Sequence, residues 1–130
     1  MSTVSAPESP EPDRRFPRSV YGSGAEPDPR FSLANERTFL AWIRTTLALL
    51  AGAAAVDALD LPMSARAQHA IAIALAVAGL LSAVQSYRGW ATTERAMRHN
   101  APLPDNKGML PLVILLAVIA AAFIVASATA

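Results

Sequence analysis

The sequence predicts an all-α integral membrane protein. Three transmembrane helices follow a disordered N-terminal tail, with the N-terminus cytoplasmic and the C-terminus outside. Three observations lead there. Apolar runs near 39–56, 70–87 and 109–128 each approach the ~20 residues that cross a ~30 Å hydrocarbon layer. The composition is 53% hydrophobic but only 6% aromatic, which suits closely packed helices in lipid better than a water-soluble core built on large side chains. Lys and Arg, finally, are distributed unequally over the segments between those runs.

The elements follow in order. Residues 1–30 hold six of the ten prolines, with Ser, Gly, Glu, Asp and Arg between them. Such a segment buries too little apolar surface to offset the entropy of ordering it. It is expected to be a Pro-rich cytoplasmic tail, leaving 31–130 as a three-helix membrane domain. The first helix is expected over about 33–56, with Ser32 as N-cap. The second is expected over about 70–90. The third is expected over 109–128, where Pro111 falls in the first turn and its missing N–H costs little. Two segments imitate export signals, the stretch "AGAAAVDAL" and the pair Arg14-Arg15. Each lies far from the arrangement a signal needs, a short basic leader directly ahead of an apolar run. No cleavage is expected.

Cations fix the expected orientation. Arg14, Arg15, Arg18, Arg30 and Arg37 precede or open the first helix, and Arg88, Arg95, Arg98 and Lys107 lie between the second and third. The first loop holds only Arg66, beside Asp57 and Asp60, and the C-terminus holds none. By the positive-inside rule, the N-terminus and second loop are cytoplasmic.

One residue resists this scheme. Arg44 interrupts "ANERTFLAWIRTTLALLAG", and an arginine in hydrocarbon costs from ~2.5 to over 10 kcal/mol, depending on how the bilayer deforms. At ~3.6 residues per turn, Arg37, Ala41, Arg44, Ala48, Ala51 and Ala55 form one stripe, and Phe39, Trp42, Ile43, Leu49 and Leu50 lie away from it. Small residues favour close helix contact, so Arg44 is expected to face protein or water. No acid lies three or four positions away on its own helix. Helix two presents Ser82, Gln85 and Arg88 on one face at similar depth. Arg37, Arg44, Arg88, Gln85 and Ser82 therefore form the candidate anion-binding or pore-lining set. Two readings stand: Arg44 snorkels to headgroups or bonds carbonyls and Gln85, or it meets an anion. A three-helix unit cannot enclose a pore, so a conduit requires several copies about an axis.

Other functions lack residues to carry them. There is no cysteine, and the net charge is +1. Neither metal nor cofactor binding nor nucleic-acid recognition is expected. His69 and His99 stand alone at helix boundaries. Glu36 beside Arg37 and Glu94 beside Arg95 read as charge balance near headgroups. No GxSxG, HExxH or Walker motif occurs, and no enzymatic activity is expected.

The stretch "LANERTFLAWIRT" (Leu33 to Thr45) resembles the YidH-type family, a domain of unknown function in small bacterial inner-membrane proteins. Tyr87, Arg88, Trp90, Glu94, Arg95 and "APLP" (Ala101 to Pro104) resemble that family's cytoplasmic loop. The likeness covers about residues 31–128 and implies three membrane helices. Asn35, Glu36, Arg37, Thr38, Phe39 and Trp42 are its first motif here. The domain is also similar to the membrane part of the yeast vacuolar transporter chaperone complex, where such units surround a basic polyphosphate channel. That resemblance implies channel-facing roles for Arg37 and Arg88. Arg44 follows the bacterial form, and its role does not transfer.

The expected function is thus an oligomeric multi-pass protein of the bacterial inner membrane whose arginine cluster binds or conducts phosphate-type anions, polyphosphate among them. Its partners are the bilayer and further copies of itself. The alternative is a non-transporting scaffold or accessory subunit of a larger membrane complex.

Overall fold

A computed structural model describes residues 13–104 and 108–130. The order is α1 (Arg18–Tyr21), α2 (Pro29–Ala58), α3 (Ala65–Arg98) and α4 (Met109–Ala128), with no strand among the described residues. The helices α2, α3 and α4 are each long and apolar enough to cross a membrane. All three expected spans are present, and the first two run beyond their expected limits.

The helix α2 begins before Ser32. Asp28 is the N-cap, its carboxylate accepting from the Arg30 amide at 2.9 Å, and Pro29 occupies the first helical position. That Asp-Pro pair is the stronger start signal, because proline's φ already suits the first turn and its absent N–H goes unmissed. Ser32 is no cap. Its hydroxyl donates to Glu94 Oε1 at 2.7 Å.

Pairs across the seam show α2 and α3 to be antiparallel: Asn35 meets Glu94 and the Trp90 carbonyl, Thr46 meets Ser82, and Gly52 lies under Leu75. Asn35, Thr46, Leu49 and Ala53 are the buried residues of α2, and their spacing follows the repeat of a long two-helix seam. Gly79 lets the helices close up, since a Cβ there would stand 3.0 Å from Leu50 Cδ2. Ser64 caps α3 by accepting from the Ala67 amide. Gln68 Nε2 donates to the Val56 and Leu59 carbonyls at 2.7 and 2.6 Å, satisfying acceptors that the end of α2 leaves open.

The helix α4 lies against α3. Its one buried residue, Ile119, joins Leu49, Ile71 and Ala78 in a small core, with Leu112, Leu115 and Leu116 alongside. Most of its remaining apolar side chains are exposed, as lipid-facing positions of a spanning helix must be.

The largest departure from expectation is N-terminal. Residues 13–28, expected to be unstructured, fold onto the last turns of α3. The side chain of Arg98 is 5% exposed. It donates to the Ser23 and Tyr21 carbonyls at 2.8 and 3.1 Å and to Glu26 Oε2 at 3.2 Å. The Ala25 amide donates to the Arg98 carbonyl at 2.8 Å, and Arg95 Nε donates to the Ser19 carbonyl. The Tyr21 ring has the Arg15 and Arg98 guanidinium carbons 4.4 and 5.4 Å from its centroid and leans on Trp90. Arg98, engaged by backbone carbonyls and Glu26, together with the fully buried Val20 thus orders a stretch whose composition alone would leave it loose. Residues 1–12 of the expected tail, and Lys107 of the cation count, lie outside the described residues.

Gly24 has φ +66°, and a Cβ there would collide with the Arg98 carbonyl. Gly24→Ala is therefore expected to undock residues 15–26, since the left-handed backbone alone costs an L-residue about 1–2 kcal/mol. Their amide hydrogen exchange should rise while the three long helices keep their protection. Acid should act in the same direction. Arg15 chiefly, with Arg98, holds the Glu26 carboxyl below the usual carboxylate range. A depressed folded value means the contact stabilises above the unfolded pKa of about 4.3 and is lost as pH falls through the folded value. Protection in this segment, taken relative to the intrinsic exchange rate at each pH, should fall below about pH 4, and less so in Glu26→Gln.

Candidate functional site

The five candidate residues separate into two groups. Steps of about 100° per residue put positions two apart on nearly opposite sides of a helix. Thr46 occupies the seam, sharing a 3.1 Å hydrogen bond with Ser82, so Arg44 points away from it. Arg37, Ala41, Arg44, Ala48, Ala51 and Ala55 are all exposed, on the side of α2 opposite its buried residues. The expected stripe exists. The described residues do not cover it, and the bulky side, through Trp42 and Leu49, is what packs on α3.

Arg44 is thereby separated from the partners expected on helix two. Ser82 is buried, its hydroxyl engaged by Thr46 and its carbonyl by the Ser86 hydroxyl. Gln85 packs against Gly108, so closely that a Cβ there would collide with it. The ion pairs among the described residues are Arg15–Asp13, Arg15–Glu26, Arg30–Asp28, His69–Asp57 and Arg98–Glu26. None includes Arg37, Arg44 or Arg88. Counted back from Ala58 at ~1.5 Å per residue, Arg44 lies ~21 Å along the helix and Arg37 ~32 Å. Across a ~30 Å hydrocarbon layer, Arg37 is at the edge and Arg44 ~9 Å inside it.

Ser82, Gln85 and Arg88 do come together. They line a cleft of about 450 Å³ with Trp42 of α2 and with Gly108, Pro111, Leu112 and Leu115 at the start of α4. Trp42, Gln85 and Arg88 also line an adjoining cleft of about 440 Å³ with Asn35, Thr38, Phe39, Trp90, Thr93, Leu103 and Pro104. Asn35, Thr38, Phe39 and Trp42 of the first stretch and Arg88, Trp90, Leu103 and Pro104 of the second therefore converge here, and Glu36, Arg37, Tyr87, Glu94, Arg95, Ala101 and Pro102 do not line the clefts. Neither Arg37 nor Arg44 lines either cleft.

Glu94 was read as a headgroup charge balance, and that expectation is corrected. It is buried, 3% exposed, and accepts from the Ser32 hydroxyl and Asn35 Nδ2 at 2.7 and 3.1 Å. Asn35 also donates to the Trp90 carbonyl at 3.0 Å. Spacing held a clue: Glu94 follows Asn35 by the separation that antiparallel pairing of these helices requires. Among the described residues, no group of three or more His, Asp or Glu side chains is placed to hold a metal ion.

Comparison with known proteins gives the family. Residues 30–96 match the family described as "Domain of unknown function (DUF202)". The uncharacterised protein Rv2272 of Mycobacterium tuberculosis is 42% identical over 110 residues, covering 79% of this chain and 88% of the relative. The inner membrane protein YidH of Escherichia coli K12 is 42% identical over 100 residues, 75% of this chain and 85% of the relative. No solved structure matches. With three membrane-length helices, such relatives make this a multi-pass inner-membrane protein. The chain belongs to the DUF202 family, to which the resemblance in its first motif had pointed.

Proposed function

We propose that several copies of this chain assemble with the Arg37–Arg44 face of α2 turned toward a common axis, and that this face binds or conducts phosphate-type anions. One observation carries it: Arg44 is exposed within a membrane-length helix, on a face the described residues leave open, and counting along the helix sets it about a third of the way into the hydrocarbon layer. Leaving it among acyl chains is costly, and no carboxylate of its own helix lies within reach. A second copy, water and an anion together remove the penalty. Ala41, Ala48, Ala51 and Ala55 let helices approach closely, as small residues do between membrane helices. A guanidinium offers planar paired donors that match phosphate oxygens.

The likeness to the yeast vacuolar chaperone membrane domain supports the same reading by analogy, with Arg37 as a lining cation. So does the concentration of arginine at one end of the molecule, the end that the positive-inside rule favours for the cytoplasm. The chain assigns itself no catalytic step here. Whatever anion it handles is made or supplied elsewhere.

The absence of cysteine gives a clean test. Ala48→Cys should form a disulfide-linked dimer under mild oxidation in membranes, and Val77→Cys, exposed on α3, should not. In liposomes, polyphosphate or inorganic anion flux should fall at least tenfold when Arg37 and Arg44 become Ala at equal protein level. Unchanged flux refutes the conduit. Crosslinking only to a different protein would favour the scaffold instead.

A further inference from the structure

We infer that the paired clefts beside Arg88 form a binding site for one anionic phospholipid, distinct from the α2 arginine face. The two clefts meet at Trp42, Gln85 and Arg88, so they act as two lobes of one site. Their chemistry differs. The lobe toward α4 is walled by Leu81, Leu112 and Leu115. The other carries hydroxyls and amides, from Thr38, Thr93 and Asn35, beside the two indoles. Arg88 stands at the junction and is the sole charged side chain among the described residues lining either lobe. A cation with no carboxylate beside it among the described lining residues, set between an apolar trough and a polar pocket, complements an amphiphile with a phosphate at the same junction.

Position agrees with this. Arg88 is the first residue beyond the apolar run of α3, at the level where a leaflet's phosphates lie. The apolar lobe then sits among acyl chains and the polar lobe among headgroups. Gly108, the N-cap of α4, lies in the wall of the apolar lobe, and the helix dipole adds a partial positive end to the junction. A free phosphate would use Arg88 and gain nothing from the leucine wall. Basic pockets between membrane helices select anionic headgroups on the same grounds.

The protein supplies its own reporter. Its two tryptophans are Trp42 and Trp90, and both line the polar lobe. The purified full chain in detergent is titrated with phosphatidylglycerol or phosphatidylcholine carrying brominated acyl chains, and tryptophan quenching is read. Phosphatidylglycerol should quench at roughly tenfold lower concentration, since both lipids offer a phosphate but only phosphatidylcholine brings a second cation up to Arg88. Arg88→Ala should abolish the difference, Arg88→Lys should keep part of it, and Arg66→Ala, at the opposite end, should keep all of it. Equal quenching by both lipids, or selectivity that survives Arg88→Ala, overturns the site. Inorganic phosphate that relieves the quenching at millimolar concentration would replace the lipid with a free anion and equally overturn it.

Discussion

The hydroxyl pair of Thr46 and Ser82 pins α2 to α3 inside the apolar span, and Asn35 with Glu94 pins them again ~16 Å further along. Hydroxyls and amides between helices have little competition from water within a bilayer, so such pairs set register as much as they add stability. Once that register is fixed, the rest of α2 has no freedom. The residues two positions from Thr46 must point outward, and Arg44 is one of them. The same register brings Trp42 beside Gln85 and Arg88 and opens the clefts toward α4.

Two kinds of arginine result. Arg98 is buried outside the membrane span and fully engaged with backbone carbonyls and Glu26. It behaves as a structural clamp, because its guanidinium exchanges water for fixed acceptors. Arg37, Arg44 and Arg88 are exposed on the single chain, and none of them enters an ion pair among the described residues. A guanidinium of this second kind has to find its acceptors in a neighbour, a lipid or a ligand. That difference, more than the number of arginines, separates scaffold from candidate site.

The spans were legible because apolar runs of membrane length have few alternative explanations, and the stripe of Arg37, Ala41, Arg44 and Ala48 was legible from helical period alone. The extensions were not. Residues 88–98 of α3 are polar enough to carry no hydropathy signal, and the apolar onset of α2 at Leu33 lies a full turn beyond its true start at Asp28-Pro29. The docked segment stayed hidden for a better reason. Proline content says that 13–28 cannot make a core of its own, and beyond the buried Val20 it borrows Arg98 and Trp90 from a helix some 70 residues away. The candidate set was half right for a similar cause. Depth along two helices aligns Arg44 with Ser82, but rotation about the axis decides contact, and Thr46 holds that position.

What covers the α2 face is the central question, and a spin label answers it directly. Placed at Ala41→Cys in vesicles, a nitroxide next to protein or water should show low collision with oxygen, with broadening from labels on neighbouring copies. High oxygen collision, matching a label on the outer side of α4 and free of broadening, would mean that acyl chains cover the arginines' own face. Such a result would contradict the account.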